Sequence, residues 1–166
     1  MKDKNKNLFF EVSLNWIEKK KGLLASSDTE GVLHVGTPPA FGGEGKPWTP
    51  EHLFLGSLSS CFMTTFLAFA DKADLPILHF ACPVIGQIGI KGGKYRFLSI
   101  DLYPRIILEQ DSLKEKALKV LEKTHEYCII SNSISAPVYY HSEVLTEELP
   151  VAMISCNDVN PSVAEA

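Results

Sequence analysis

The sequence has no C-x-x-C pair, no G-K-S or G-K-T after its glycine-rich loop, no basic surplus and no internal repeat. Each gap removes a class of function. The four cysteines, Cys61, Cys82, Cys128 and Cys156, show no metal-ligand spacing. Residues 36–47 (GTPPAFGGEGKP) hold four Gly and three Pro, but Lys46 is followed by proline, so this is not a phosphate-binding P-loop. A net charge of −4 gives no basic face for nucleic acid, and no nucleic-acid partner is expected. The opening MKDKNKN-LFFEVSLNW lacks the uninterrupted apolar run of a signal peptide, because Glu11 breaks it. The expected location is therefore cytoplasmic, where a structural disulfide framework is not formed.

What the chain does have is a long apolar centre. Residues 48–71 read WTPEHLFLGSLSSCFMTTFLAFAD. Thr49 is placed to cap a helix and Pro50 to occupy its first turn, where no N–H is needed. Leu53, Phe54, Leu55, Leu58, Phe62, Met63, Phe66, Leu67 and Phe69 then cover nearly every side, as in a helix enclosed by its fold. Gly56 and five Ser or Thr residues dilute the run, and no second span exists, so no membrane crossing is expected.

The remaining pattern is alternating or amphipathic. Residues 8–16, 23–27 and 32–35 read as strands around the charged turn EKKKG, and residues 36–47 as either a plain connector or a flap. Residues 77–90 and 95–108 flank the turn KGGK and form a long hairpin. Residues 111–127 read as a second helix, with Ser112 and Glu115 as a capping box and Cys128 ending its apolar face. A last strand spans 138–144. The expected organisation is one α+β domain over 1–144, mainly antiparallel sheet wrapped around a buried central helix, and an acidic tail over 145–166. A helix apolar all round needs more cover than one small sheet gives, which points to an intertwined homodimer.

Cys61 and Cys128 both lie on helices that pack in the core, so they can meet. A thiol in apolar surroundings is inert unless a fixed positive charge lowers its pKa. Glu51 lies ten residues before Cys61, roughly 15 Å along one helix, so it cannot touch the thiol from the same helix. It either favours the helix N-terminus or acts across a subunit boundary. Cys61, Cys128 and His125 are a candidate metal set, but a fourth ligand and close spacing are missing, and no metal is expected. Cys82 and Cys156 carry no evident chemistry.

PEHLFLGSLSSCF resembles the signature of the OsmC/Ohr family, in which a P-E-x-L segment and a run of small residues lead to a cysteine. CIISNS, with Cys128 followed by a Ser-Asn pair, resembles that family's second cysteine motif, and the order of elements agrees from about Phe9 to Val144. The resemblance implies an OsmC-like fold, an intertwined homodimer with sites at its interface, and thiol-dependent reduction of organic hydroperoxides. Cys61 would be the peroxidatic cysteine and Cys128 the resolving one, an external dithiol would regenerate them, and no cofactor is implied. Glu51 would orient the cation that holds the thiolate. The family takes that cation from an arginine before the helix, whereas this chain has only Arg96 and Arg105, both in the later hairpin. Lys46 is the nearest substitute, with Lys19, Lys20 and Lys21 as alternatives. A lysine keeps the charge without the planar fork. Ile129 also stands where the family commonly has proline. The alternative function on the same dimeric fold is non-catalytic binding of a hydrophobic ligand.

Overall fold

The computed structural model describes residues 7–146. The chain divides into two compact units, with the division inside its longest helix after Phe54.

The first unit is an antiparallel meander of β1 (Ser13–Glu18), β2 (Lys21–Ala25) and β3 (Leu33–Gly36). The sequence pattern begins a strand at Leu8, but pairing starts at Ser13, opposite Ala25 where β2 ends. Leu8–Val12 has no ladder beyond that point, so its alternation forms no strand. The β1–β2 hairpin closes over Lys19 and Lys20, with Lys19 at φ 45°. Residues 36–47 close as a loop: the Gly36 N–H donates to the Trp48 carbonyl at 2.9 Å and the Trp48 N–H to that of His34 at 3.0 Å. Gly43 is required there, since a Cβ would collide with the Thr37 carbonyl oxygen. Thr49 is buried, and its Oγ1 accepts the His52 N–H at 3.4 Å, so α1 (Pro50–Lys72) starts at the cap and proline read from the sequence.

The second unit holds the rest of α1, two mixed sheets and two further helices. One sheet has the order β4 (His79–Ala81), β7 (Arg105–Leu108), β9 (Glu143–Thr146); the other has β5 (Val84–Lys91), β6 (Lys94–Leu102), β8 (Val138–Tyr140). The hairpin turn at Gly92 and Gly93 uses φ of 63° and 73°, which only glycine adopts freely. Pairing is mainly antiparallel, as the sequence suggests, while β8 runs parallel to β6 and β9 parallel to β7. Three expected strands are also divided. Pro83 and Pro104 cannot donate to a ladder, and at these positions the chain leaves one sheet for the other. His141 and Ser142 divide the last strand in the same way, and β9 takes in Leu145 and Thr146, two residues assigned to the tail. The rest of that tail, with Cys156, lies outside the described residues.

Helix α1 is not buried all round. Leu58, Phe62, Phe66 and Ala70, four residues apart, form one buried stripe, while Met63 and Leu67 are 38% and 36% exposed. The helix has the length and hydropathy of a membrane span, but a single copy of these small sheets covers only that stripe. Helix α2 (Lys114–Tyr127) buries Ala117, Val120, Leu121 and Thr124, and ends at the buried Cys128. Its capping box does not form. A 3-10 turn over Asp111–Leu113 precedes the helix, the Ser112 hydroxyl bonds the Gln110 side chain, and Glu115 pairs with Lys119 at 2.7 Å. The short α3 (Ile129–Asn132) follows.

Phe66 is fully buried with its ring 5.1 Å from that of Phe80. Phe66→Ala should cost about 3–5 kcal/mol in urea unfolding. A loss below about 1 kcal/mol would show that this stripe is not the packed centre of the unit.

Candidate active site

In the second unit, α1 carries Cys61 and the α2–α3 junction carries Cys128. The Cys128 N–H bonds the Thr124 carbonyl at 3.0 Å, and its extended backbone (φ −66°, ψ 110°) ends one helix and precedes the next. The two sulfurs lie 3.3 Å apart, with the Cys128 thiol directed at Cys61. Both are free thiols; Cys128 is fully buried and Cys61 is partly open to solvent. A small approach of the two sulfurs would reach the roughly 2.05 Å of a disulfide. One thiol is thus accessible to a solute and the other is held in reserve behind it.

Burial pushes the Cys128 thiol above its ordinary range, while the N–H and hydroxyl of Ser131 act in the opposite direction by stabilising the thiolate. The Ser131 hydroxyl also donates to the Cys128 carbonyl at 3.0 Å. Cys82, at the corner between β4 and β5, is part of the same neighbourhood. Burial pushes its thiol up to about 12, only partly offset by Ser59, and the charge of Cys128 adds to the rise. Ser59 holds that corner by donating to the Cys82 carbonyl at 2.6 Å. Burial raises the Tyr140 phenol; its hydroxyl interacts with Ser131, and it senses the charges of Cys128, Cys82 and Cys61. Three thiols from three elements therefore gather around one tyrosine.

An aromatic stack backs this group. The His125 ring lies on Tyr140 with centroids 4.0 Å apart and planes 21° from parallel. Phe62, next to Cys61 in sequence, lies 5.5 Å from His125 and 5.6 Å from Tyr140. Burial lowers the pKa of His125 against the opposing charge of Glu122, so the imidazole is neutral at pH 7. No three His, Cys, Asp or Glu side chains among the described residues are grouped to hold a metal ion, so Cys61, Cys128 and His125 make no ligand set.

The charged candidates lie in the first unit. Glu51 sits in the first turn of α1, and its Oε2 is shut from water with no hydrogen-bond partner among the described residues. Lys46 is exposed on the loop, and among the described residues no ion pair joins it to Glu51. The three lysines of the hairpin turn are engaged nearby. Lys20 donates to the Phe41 carbonyl at 3.0 Å, Lys21 pairs with Glu44 at 2.6 Å, and Lys19 reaches the same carboxylate at 3.9 Å. The hydrogen bond from Lys21 holds the Glu44 carboxyl below its usual range. In the second unit Arg105 is tied to Glu143 at 3.1 Å. Ser131, Tyr140 and the placement of Cys82 were not legible as site features. The one available signal was Ser131 three residues after Cys128, a spacing that returns a side chain to the start of a helical turn.

The family of OsmC-like proteins matches residues 43–141, more than half of the chain, and the chain belongs to that family. Solved structures agree in fold. An OsmC-like protein of unknown function from Vibrio cholerae superposes with a TM-score of 0.73 at 20% identity, over 84% of this chain and 100% of that one. An organic hydroperoxide resistance protein from Elizabethkingia anophelis gives 0.68 at 21% identity, over 88% and 99%. In sequence, the uncharacterized protein YmaD of Bacillus subtilis is 20% identical over 132 residues, which cover 78% of this chain and 88% of that protein.

Cys82 offers a test of the site's electrostatics. With its thiol near 12, iodoacetamide at pH 8 should modify Cys61 readily and leave Cys82 intact by peptide mass. The folded value lies above the ordinary thiol value of 9.0, so the folded state holds this proton more tightly. Its contribution to stability is therefore full below pH 9 and is lost as pH rises toward 12. Cys82→Ala should flatten the alkaline fall in unfolding midpoint over that window, and an unchanged slope would remove Cys82 as its source.

Proposed function

We propose that this protein is a cysteine-based peroxidase that reduces organic hydroperoxides. The observation that carries the reading is the pair of free thiols 3.3 Å apart, one partly exposed and one buried. The Cys61 thiolate attacks the outer peroxide oxygen, the O–O bond breaks, and the alkoxide leaves as an alcohol after taking a proton. Cys61 is then a sulfenic acid. Cys128 attacks that sulfur; the S–S bond forms, the S–O bond breaks, and water leaves. An external dithiol reduces the disulfide by exchange and is itself oxidised. No prosthetic group takes part.

Glu51 and a lysine, Lys46 or one of Lys19, Lys20 and Lys21, are assigned the charge that keeps the attacking sulfur ionised. This assignment rests on the family resemblance. A homodimer fits the exposed apolar residues, which include Leu14, Trp16 and Ile17 on β1 and Met63 and Leu67 on α1. The reducing cytoplasm suits a cycle that ends in thiol exchange. Support for the substrate class comes from structural relatives named as organic hydroperoxide resistance proteins, one from Elizabethkingia anophelis and one from Bacillus subtilis. The second reading, a binding protein for an apolar ligand, is favoured by the unpaired Glu51 oxygen and by the absence of an arginine before α1.

Treating the reduced protein with tert-butyl hydroperoxide should yield a Cys61–Cys128 disulfide by peptide mass. Cys61→Ser should abolish peroxide consumption, and Cys128→Ser should leave Cys61 oxidised without the disulfide. Full retention of thiols under excess peroxide, with an apolar ligand co-purifying, would establish the binding reading instead. Lys46→Ala should slow Cys61 oxidation about tenfold or more if that lysine supplies the cation. Unchanged rates would assign the role to Lys19, Lys20 or Lys21.

A further inference from the structure

Cys128 has a difficulty that Cys61 does not share. It is fully buried, its sulfur faces another sulfur 3.3 Å away, and it must become a nucleophile there. Burial disfavours its thiolate, so closure of the disulfide needs a local donor to the developing charge. We infer that Ser131 is a positioning residue that supplies this donor and sets the rate at which Cys128 closes on an oxidised Cys61.

The geometry supports this in three ways. Ser131 lies one helical turn beyond Cys128, and its hydroxyl is already directed at that residue, donating to the Cys128 carbonyl at 3.0 Å. A hydroxyl has a single proton and rotates freely, so the same group can turn from the carbonyl to the sulfur as negative charge develops. Its interaction with Cys128 favours the thiolate, as does that of the Ser131 N–H. Tyr140, on a different element and stacked on the His125 ring at 4.0 Å, is a second group whose charged form the Ser131 hydroxyl favours, which marks that hydroxyl as a donor.

The titratable groups around Cys128 are Cys61 from α1, Cys82 from the β4–β5 corner, and Tyr140 from β8, with His125 one turn earlier on α2. The negative forms of the thiols and the phenol oppose a Cys128 thiolate, and His125 is neutral at pH 7. Ser131 is therefore the favourable side-chain contact of Cys128 among these groups.

The inference rests on the Cys61–Cys128 pairing and not on the identity of the oxidant, so the test uses two oxidants. One is tert-butyl hydroperoxide, which leaves a Cys61 sulfenic acid. The other is diamide: the Cys61 thiol adds across its N=N bond, Cys128 then attacks the Cys61 sulfur, the S–N bond breaks, and the reduced hydrazine leaves. Closure is common to both and is followed by rapid acid quench and peptide mass across pH 6–10. Ser131→Ala should slow closure about tenfold, with its pH profile displaced to higher pH, while Ser131→Thr, which keeps the hydroxyl, restores both. Ser131→Val, which matches the threonine variant in size and lacks its hydroxyl, should slow closure about as much as Ser131→Ala and provides the second variant should Ser131→Ala fold poorly. Formation of the first Cys61 adduct should be unchanged in every variant. Closure rates and pH profiles equal to wild type in the diamide arm would overturn the inference. A Cys61 that resists peroxide but closes with diamide in a Ser131-dependent manner would remove the peroxidase reading and leave this one standing.

Discussion

The site depends on how α1 is rotated about its own axis. Burial of Leu58, Phe62, Phe66 and Ala70 fixes that rotation, because these four residues lie on one stripe and are the parts of the helix most fully removed from water. Cys61 precedes Phe62 by one residue, about 100° around the helix, which places it at the edge of the stripe and not on it. A thiol at the edge can face a buried neighbour on one side and solvent on the other. Cys128 meets it because α2 buries its own stripe and ends at that residue, where the backbone becomes extended. Two packing decisions made by leucines and phenylalanines thus bring two sulfurs to 3.3 Å.

The sheets frame this helix pair through three corners. At Cys82–Pro83, Tyr103–Pro104 and His141–Ser142 the chain passes from one three-stranded sheet to the other, and the corners are hydrogen-bonded together. The Tyr103 N–H reaches the Pro83 carbonyl at 2.9 Å, and the Glu143 N–H reaches that of Pro104 at 2.8 Å. Two of these corners flank the site: Cys82 forms one, and Tyr140 ends the strand that enters another. The Cys82–Pro83 corner therefore also delivers a third thiol to the pair, and the His141–Ser142 corner the phenol. Their burial accounts for the raised pKa of both groups.

Charge is arranged differently. The hairpin lysines and Glu44 fasten the glycine-rich loop to the β1–β2 turn, and Lys19 takes a left-handed backbone there, a conformation uncommon for a lysine. These contacts make residues 36–47 a fastened loop, of the two readings the sequence allowed. The Oε2 atom of Glu51 is enclosed and without a partner among the described residues, an expensive state for a carboxylate oxygen.

The sequence by itself determined the helix start at Thr49 and Pro50, the glycine turn of the hairpin, the apolar faces of α1 and α2, and the two cysteine motifs that marked the family. These are local properties: a cap, a turn type and a helical period are written within a few residues. It misread the capping box at Ser112, because the 3-10 turn and the pairing of Glu115 with Lys119 compete for the same groups. It also joined strands that prolines divide. Only the tertiary structure decided that α1 is covered along one stripe and that Cys82 and Tyr140 belong with Cys61 and Cys128. Those relations join residues up to 79 positions apart, from Cys61 to Tyr140, and arise from how stripes and corners pack. No short-range pattern in the chain encodes them.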